Sequence, residues 1–226
     1  LYFKKRQRIN YSKILFLSGV IMFEVLKSGG VLIIPILVCA VLETFIIIER
    51  MIYFYAIGKN RTAVSAEIIS LVKKRNYDGA IEYCRAINTP LTNILKKAVE
   101  CRNFPVSEIR EAVTNEATHQ IPLLERFITP LGTIANIATL LGLMGTVTGN
   151  IQAFGVLGSG GSMGNPEILA GAIAEALVTT AAGLAVSIPA LIFHNYFVSR
   201  INRRMIEMEY TASELVVALK VKGENL

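Results

Sequence analysis

The sequence contains no tryptophan, two histidines and three cysteines, and charged residues make up only 18% of its 226 positions. Each shortage excludes something. Cys39, Cys84 and Cys101 are too far apart for a CxxC metal or redox pair, and an odd count does not build a disulfide framework. His119 and His194 have no companions at ligand spacing, so no metal site is read from the sequence. Soluble domains carry about 25% charged residues. The smaller share here, with 53% apolar residues and a mean hydropathy of +0.50, excludes an ordinary soluble enzyme and, more firmly, a disordered chain. A net charge of +6 would suit nucleic acid. In so apolar a chain, however, basic excess marks cytoplasmic loops beside membrane spans. The reading is a membrane protein that does not bind nucleic acid.

A hydrocarbon core about 30 Å thick takes roughly 20 helical residues to cross. Three segments meet that need: residues 30–56, 127–157 and 168–198. The second is free of charge and the third holds Glu175 alone. Between them, residues 158–167 are rich in Gly, Ser, Asn and Pro and read as a periplasmic loop. Lys and Arg crowd into residues 57–126 and recur in 199–226, whereas the loop has none. This asymmetry makes both basic regions cytoplasmic and the N-terminus periplasmic. The expected fold class is an all-α membrane protein with three transmembrane helices and long cytoplasmic helical extensions.

Residues 1–29 do not conform. Lys4, Lys5, Arg6, Arg8 and Lys13 precede an apolar stretch, 14–22, that is too short to span. The segment fits a signal-like region without a clear cleavage site, or a basic segment lying along the membrane surface. Met22 is an alternative start, and Gly223-Glu224-Asn225-Leu226 reads as the beginning of a protease-site tag.

The cytoplasmic region reads as helical. Val64, Ile68, Leu71 and Val72 repeat at helix spacing up to a break at Tyr77-Asp78-Gly79. Ala80, Ile81, Cys84 and Ile87 make a second stripe, ended by Asn88-Thr89-Pro90, and a third helix covers about 91–101. A longer helix opens near Pro105, with Val106, Ile109, Val113, Ala117, Ile121, Leu124 and Ile128 on one face. Pro122 and Pro130 are expected to bend it without ending it, so that it continues into the second span. Residues 199–226 continue the third span as a C-terminal helix.

Small residues dominate the last two spans. Gly142 and Gly145 on one and Gly171 and Gly183 on the other let backbones approach closely, which is how membrane helices associate without a hydrophobic drive. Two such faces favour self-association. Glu175 stands out against them. An acidic side chain at a helix centre costs roughly 2.5–3.5 kcal/mol on insertion scales and usually marks an ion or proton path. No Lys or Arg lies in the last two spans beside it, so protonation, water or a hydroxyl must neutralise it. Thr179 stands one turn on, and Thr180 is rotated about 140° from Glu175 by helix geometry. The second span adds Thr139, Thr146 and Thr148. Together these suit a wet pathway; the bland alternative is that each threonine bonds back to its own helix carbonyl. Glu43 in the first span is either a neutral acid bonded to Thr44 or a neighbouring helix, or a side chain facing lipid near an interface. Glu49-Arg50 marks the inner boundary.

Two motif blocks carry a family resemblance. Leu140-Leu141-Gly142-Leu143-Met144-Gly145-Thr146-Val147-Thr148-Gly149, and Ile173-Ala174-Glu175-Ala176-Leu177-Val178-Thr179-Thr180-Ala181-Ala182-Gly183-Leu184 followed by Ile188-Pro189-Ala190, resemble the MotA/TolQ/ExbB proton-channel family. Residues 23–50, with Gly29-Gly30, Pro35 and a closing Ile48-Glu49-Arg50, look like the first span of its short ExbB type. The resemblance implies an inner-membrane subunit driven by the proton motive force, in a homopentamer around a pair of single-span ExbD- or TolR-like partners. No cofactor is implied beyond the translocated proton. By motif position Thr146, Glu175 and Thr180 match the family's pore-facing polar residues, with Thr139, Thr148 and Thr179 secondary. Work would pass to a TonB-like protein or another envelope system. The basic extension, Glu43 and Thr179 depart from the family pattern.

Rival readings are weaker. A MotA-type stator needs four spans and a larger cytoplasmic domain. An intramembrane protease needs a paired nucleophile and base, and Ser187 and His194 stand seven residues apart on one helix, about 10 Å by helical rise. A purely structural scaffold leaves Glu175 without a reason.

Overall fold

A computed structural model describes residues 29–58, 61–158 and 166–220. The readings made for residues 1–28, for the centre of the 158–167 loop and for the last six residues lie outside them. Among the described residues the chain is all-helical. The helices are α1 (Ile33–Gly58), α2 (Arg61–Lys73), α3 (Tyr77–Ile87), α4 (Pro90–Glu100), α5 (Val106–Glu125), α6 (Ile128–Gly158) and α7 (Pro166–Lys220). Two compact units share them: the described part of Leu1–Glu43 with Thr133–Ala190, and Thr44–Gly132 with the described part of Leu191–Leu226.

In the second unit α2, α3, α4 and α5 pack successively, and α2 also meets α4. The sequence explains where each begins and ends. Arg75 takes a left-handed φ of 60°, and the Asn76 side chain accepts a hydrogen bond from the Gly79 N–H to cap α3. The break therefore falls at residues 74–76, and Tyr77-Asp78-Gly79 opens the next helix instead of separating the two. Asn88 closes α3 in the left-handed conformation, φ 46°, with its N–H on the Cys84 carbonyl. Asparagine tolerates that region better than most residues. Thr89 and Thr92 form a reciprocal capping box at α4, with Pro90 where a missing N–H costs nothing. Ile68, Val72, Ala80, Cys84, Ile94, Leu95, Ala98, Val99 and Ile109 fill the core, all at most 3% exposed. Burial pushes the Cys84 thiol up to about 11, leaving it a protonated, inert core side chain.

The helix expected to run unbroken from Pro105 into the second span is interrupted. It passes Pro122 but stops at Glu125, and α6 restarts at Ile128. The break is at Phe127, held at φ 66°. A left-handed residue other than glycine costs roughly 1–2 kcal/mol. Two guanidinium groups offset this: Arg126 lies 4.8 Å and Arg50 5.6 Å from the Phe127 ring centre, each contact contributing about 0.5–2 kcal/mol. Pro130 stands in the first turn of α6, where it interrupts no helix bond. Apolar periodicity continues through this kink and so could not reveal it.

Arg50 is 2% exposed. Its guanidinium pairs with Glu49 at 2.5 and 2.6 Å and lies 4.4 Å from the Tyr53 ring centre. Phe54 stacks on Phe197, centroids 5.7 Å apart. Farther along α7, Glu207 bonds Arg61 and, at 3.3 Å, Arg204. Burial raises the Glu207 carboxyl, but the Arg61 hydrogen bond and the charges of Arg61 and Arg204 outweigh it and hold the group below the usual carboxylate value.

α6 and α7 are long and apolar enough to cross a membrane. α7, at 55 residues, far exceeds the roughly 20 that crossing requires. α1 is an apolar helix of 26 residues carrying Glu43, Glu49 and Arg50.

Leu95→Ala should lower stability by about 2–5 kcal/mol, read as a lower midpoint when unfolding of the detergent-solubilised protein is followed by circular dichroism. Glu207→Gln should cost less than about 1 kcal/mol, because the carboxylate is partly exposed. A depressed carboxyl stabilises the fold above its ordinary pKa of about 4.3 and loses that contribution as pH falls through the depressed value. The melting difference between wild type and Glu207→Gln should therefore be present at neutral pH and vanish on acidification.

Candidate functional site

In the first unit α6 and α7 touch at backbone distance. A carbon added at Gly183 would stand 2.6 Å from the Ala138 carbonyl oxygen and 2.9 Å from the Gly142 α-carbon. One added at Gly149 would stand 2.5 Å from the Ala176 β-carbon and 2.8 Å from the Ala172 carbonyl oxygen. Gly145 leaves the same kind of room for the Thr179 methyl, 2.6 Å away. No side chain larger than hydrogen fits at these positions without moving a helix. Gly142, Gly145 and Gly183 are thus placed in the helix contact, while Gly171 has open space around it within this chain.

Hydroxyls fasten the same seam. Thr180 Oγ1 lies 2.8 Å from the Gly142 carbonyl on α6 and 3.1 Å from Ala176 O on its own helix. Thr139 Oγ1 lies 2.6 Å from Ser187 Oγ and 3.1 Å from Ala135 O. Thr146 and Thr148 bond back within α6, Thr146 to Leu143 O at 2.6 Å and Thr148 to Met144 O and Gly145 O, both at 3.1 Å. A single hydroxyl proton can serve one acceptor fully or divide between two. Thr139 and Thr180 therefore act across helices, and Thr146 and Thr148 act locally.

Glu175 is half-buried, and its carboxyl lies directly against Gly30, which has a left-handed φ of 60°. One turn on, Thr179 is 1% exposed. Its hydroxyl lies 2.9 Å from the Gly29 carbonyl and 2.8 Å from that of Glu175. The structure thus brings Glu175 and Thr179 together with the turn before α1, from a sequence distance of about 150 residues. It does not join Thr146 to that cluster by any of its hydrogen bonds described above. Glu43 is 5% exposed, one turn beyond Cys39 on α1.

Sequence reasoning missed two members of this arrangement. Ser187 entered only as a failed nucleophile, yet its hydroxyl receives Thr139 from the facing helix. The Gly29-Gly30 pair entered only through resemblance. Two consecutive glycines before an apolar run are a turn signal, but nothing local says which side chain occupies the space they leave.

Chemically, the site offers one carboxyl on a helix otherwise uncharged between Ile168 and Ser199, and hydroxyls spent on backbone carbonyls. That set can take up and release a proton. Ser187 meets Thr139, and His194 Nδ1 lies 3.3 Å from Asn195 Oδ1.

The chain is similar to proteins of one known family. The sequence profile of the MotA/TolQ/ExbB proton channel family matches residues 86–210. A protein named biopolymer transport protein ExbB-like 3 from Synechocystis sp. is 31% identical over 172 residues, 75% of this chain and 81% of its own length. The biopolymer transport protein ExbB of Neisseria meningitidis is 31% identical over 190 residues, 76% of this chain and 84% of the relative. A second Synechocystis protein, ExbB-like 1, is 33% identical over 199 residues, covering 85% of this chain and 76% of its own.

Gly183→Val should drive side-chain carbons into the Ala138 carbonyl and separate α6 from α7, an overpacking cost of about 1–3 kcal/mol or more. Less folded protein and a broadened size-exclusion profile are expected. Gly171→Ala, placed in open space, should leave both unchanged.

Proposed function

The chain belongs to the MotA/TolQ/ExbB proton channel family, and we propose that it is the proton-conducting subunit of an inner-membrane motor. In this reading it uses the proton motive force to energise TonB-dependent transport across the outer membrane, or a related envelope process. Glu175 carries the proposal. It is the one carboxyl in its stretch of α7, it is half-buried and not sealed, and its cost in an apolar setting of roughly 2.5–3.5 kcal/mol calls for a function. A carboxyl in such a place exchanges a proton with water on one side and with a partner's acid on the other.

The rest of the assembly follows from that role. Three spans, with α1 as the first, set the N-terminus in the periplasm and the C-terminus in the cytoplasm. Five copies enclose a dimer of single-span ExbD- or TolR-like partners, whose own membrane acid alternates between protonated and ionised states. Thr146 and Thr180 line the path beside Glu175. Large apolar side chains exposed on the single chain, among them Phe45 on α1, Ile151 and Phe154 on α6 and Leu177 on α7, support burial against lipid and neighbouring copies. A TolQ-like role in envelope constriction uses the same parts and differs only in the partner served.

Glu175→Gln should abolish energised uptake in cells while leaving the complex assembled; full activity in that variant removes Glu175 from the mechanism. Thr146→Ala and Thr180→Ala should impair activity more than Thr139→Ala. Equal tolerance of all three returns the threonines to a packing role. Native mass spectrometry should give a five-chain species, and a stable monomer would contradict the motor.

A further inference from the structure

The turn preceding α1 meets α7 at the one carboxyl the proposed mechanism needs. Gly30 has φ +60°, a conformation that costs every residue except glycine. The chain then enters α1 with the Ile33 N–H 3.4 Å from the Gly30 carbonyl. A β-carbon on Gly30 would collide with Glu175 Oε1 and stand 2.7 Å from its Cδ and 3.4 Å from its Cγ. The turn therefore forms one wall of the space in which the carboxyl lies. Its second hold is through Thr179, whose hydroxyl reaches the Gly29 carbonyl at 2.9 Å and the Glu175 carbonyl at 2.8 Å. Thr179 is itself seated against Gly145 of α6.

Geometry on α7 alone leaves a glutamate three side-chain torsions to explore. The turn removes part of that freedom from the direction of another helix's start. We infer that Gly29-Gly30, tied down by Thr179, is a positioning element that holds the Glu175 carboxyl in its proton-exchanging orientation, an inference resting on the proton-carrying role proposed for Glu175. Gly30 and Thr179 are positioning residues here; Glu175 is the group that handles the proton.

The test compares Gly30→Ala, Thr179→Val and Glu175→Gln in the full-length chain, with Gly155→Ala as control because its surroundings are empty to 4 Å. Two readouts are taken: energised uptake in cells, and the infrared band of the Glu175 carboxyl, in whichever protonation state it holds, identified as the band missing from Glu175→Gln. Gly30→Ala should lower uptake roughly tenfold or more, as small misplacements of reacting groups do. It should also shift the band, with the protein still assembled. Thr179→Val should shift the band in the same sense, and Gly155→Ala should change neither. Loss of uptake with an unmoved band gives Gly30 a merely structural role and overturns the inference. Full uptake in Gly30→Ala overturns it too, and inactivity of Glu175→Gln in that experiment would leave the proposed function standing. Should Gly30→Ala fail to accumulate, Thr179→Val decides: an unmoved band overturns the inference. Uptake retained in Glu175→Gln brings down the functional reading itself.

Discussion

The contact between α6 and α7 is made without side chains to spare, and the rest of the site depends on it. In lipid there is no hydrophobic drive to press two apolar helices together, so they hold by close packing and hydrogen bonds. Gly142, Gly149 and Gly183 bring the backbones near enough for Thr180 to reach the Gly142 carbonyl at 2.8 Å. That distance in turn decides where Glu175 and Thr179 stand, because both lie within a turn or so of Thr180. These three glycines and the hydroxyls of Thr139 and Thr180 are thus parts of one device. The glycines permit the approach, and the hydroxyls fasten it.

Charge is rationed in a matching way. Where a charged group is buried in the second unit, it is partnered: Arg50 by Glu49 and by the Tyr53 and Phe127 rings, Arg61 and Arg204 by Glu207. These arginines are packing elements as much as charges, and the stacking on Phe127 supports a backbone conformation that its own sterics disfavour. Glu175 has no such cation beside it in its uncharged stretch of helix. It is met instead by a glycine turn, which adds no charge.

How much of this was legible beforehand can be followed residue by residue. Helices α2 to α4 were readable because their stripes are clean and their ends carry asparagine, threonine and proline. The break at Arg126-Phe127 was not, since an apolar period of 3.6 runs through it and the cause lies partly in a cation from residue 50. Thr139 and Thr180 showed the same ambiguity in another form. A threonine in an apolar helix bonds back to its own turn or across to a neighbour, and the two choices look identical along the chain. Only the facing residue, Ser187 in one case and Gly142 in the other, distinguishes them.

Composition and pattern by themselves determined that this is an all-helical membrane chain, that Glu175 is its conspicuous acid, and which family its motif blocks resemble. These properties are local: counts, spacings and the cost of a charge in a given stretch. Tertiary structure decided which glycines are contacts and which face open space, where the long helix that opens near Pro105 is cut, and that the turn at Gly29-Gly30 lies against Glu175. Those are meetings between residues up to about 150 positions apart. Periodicity along one helix says which residues share a face, but the neighbour that face meets is set by packing, and glycine leaves no side chain to announce it.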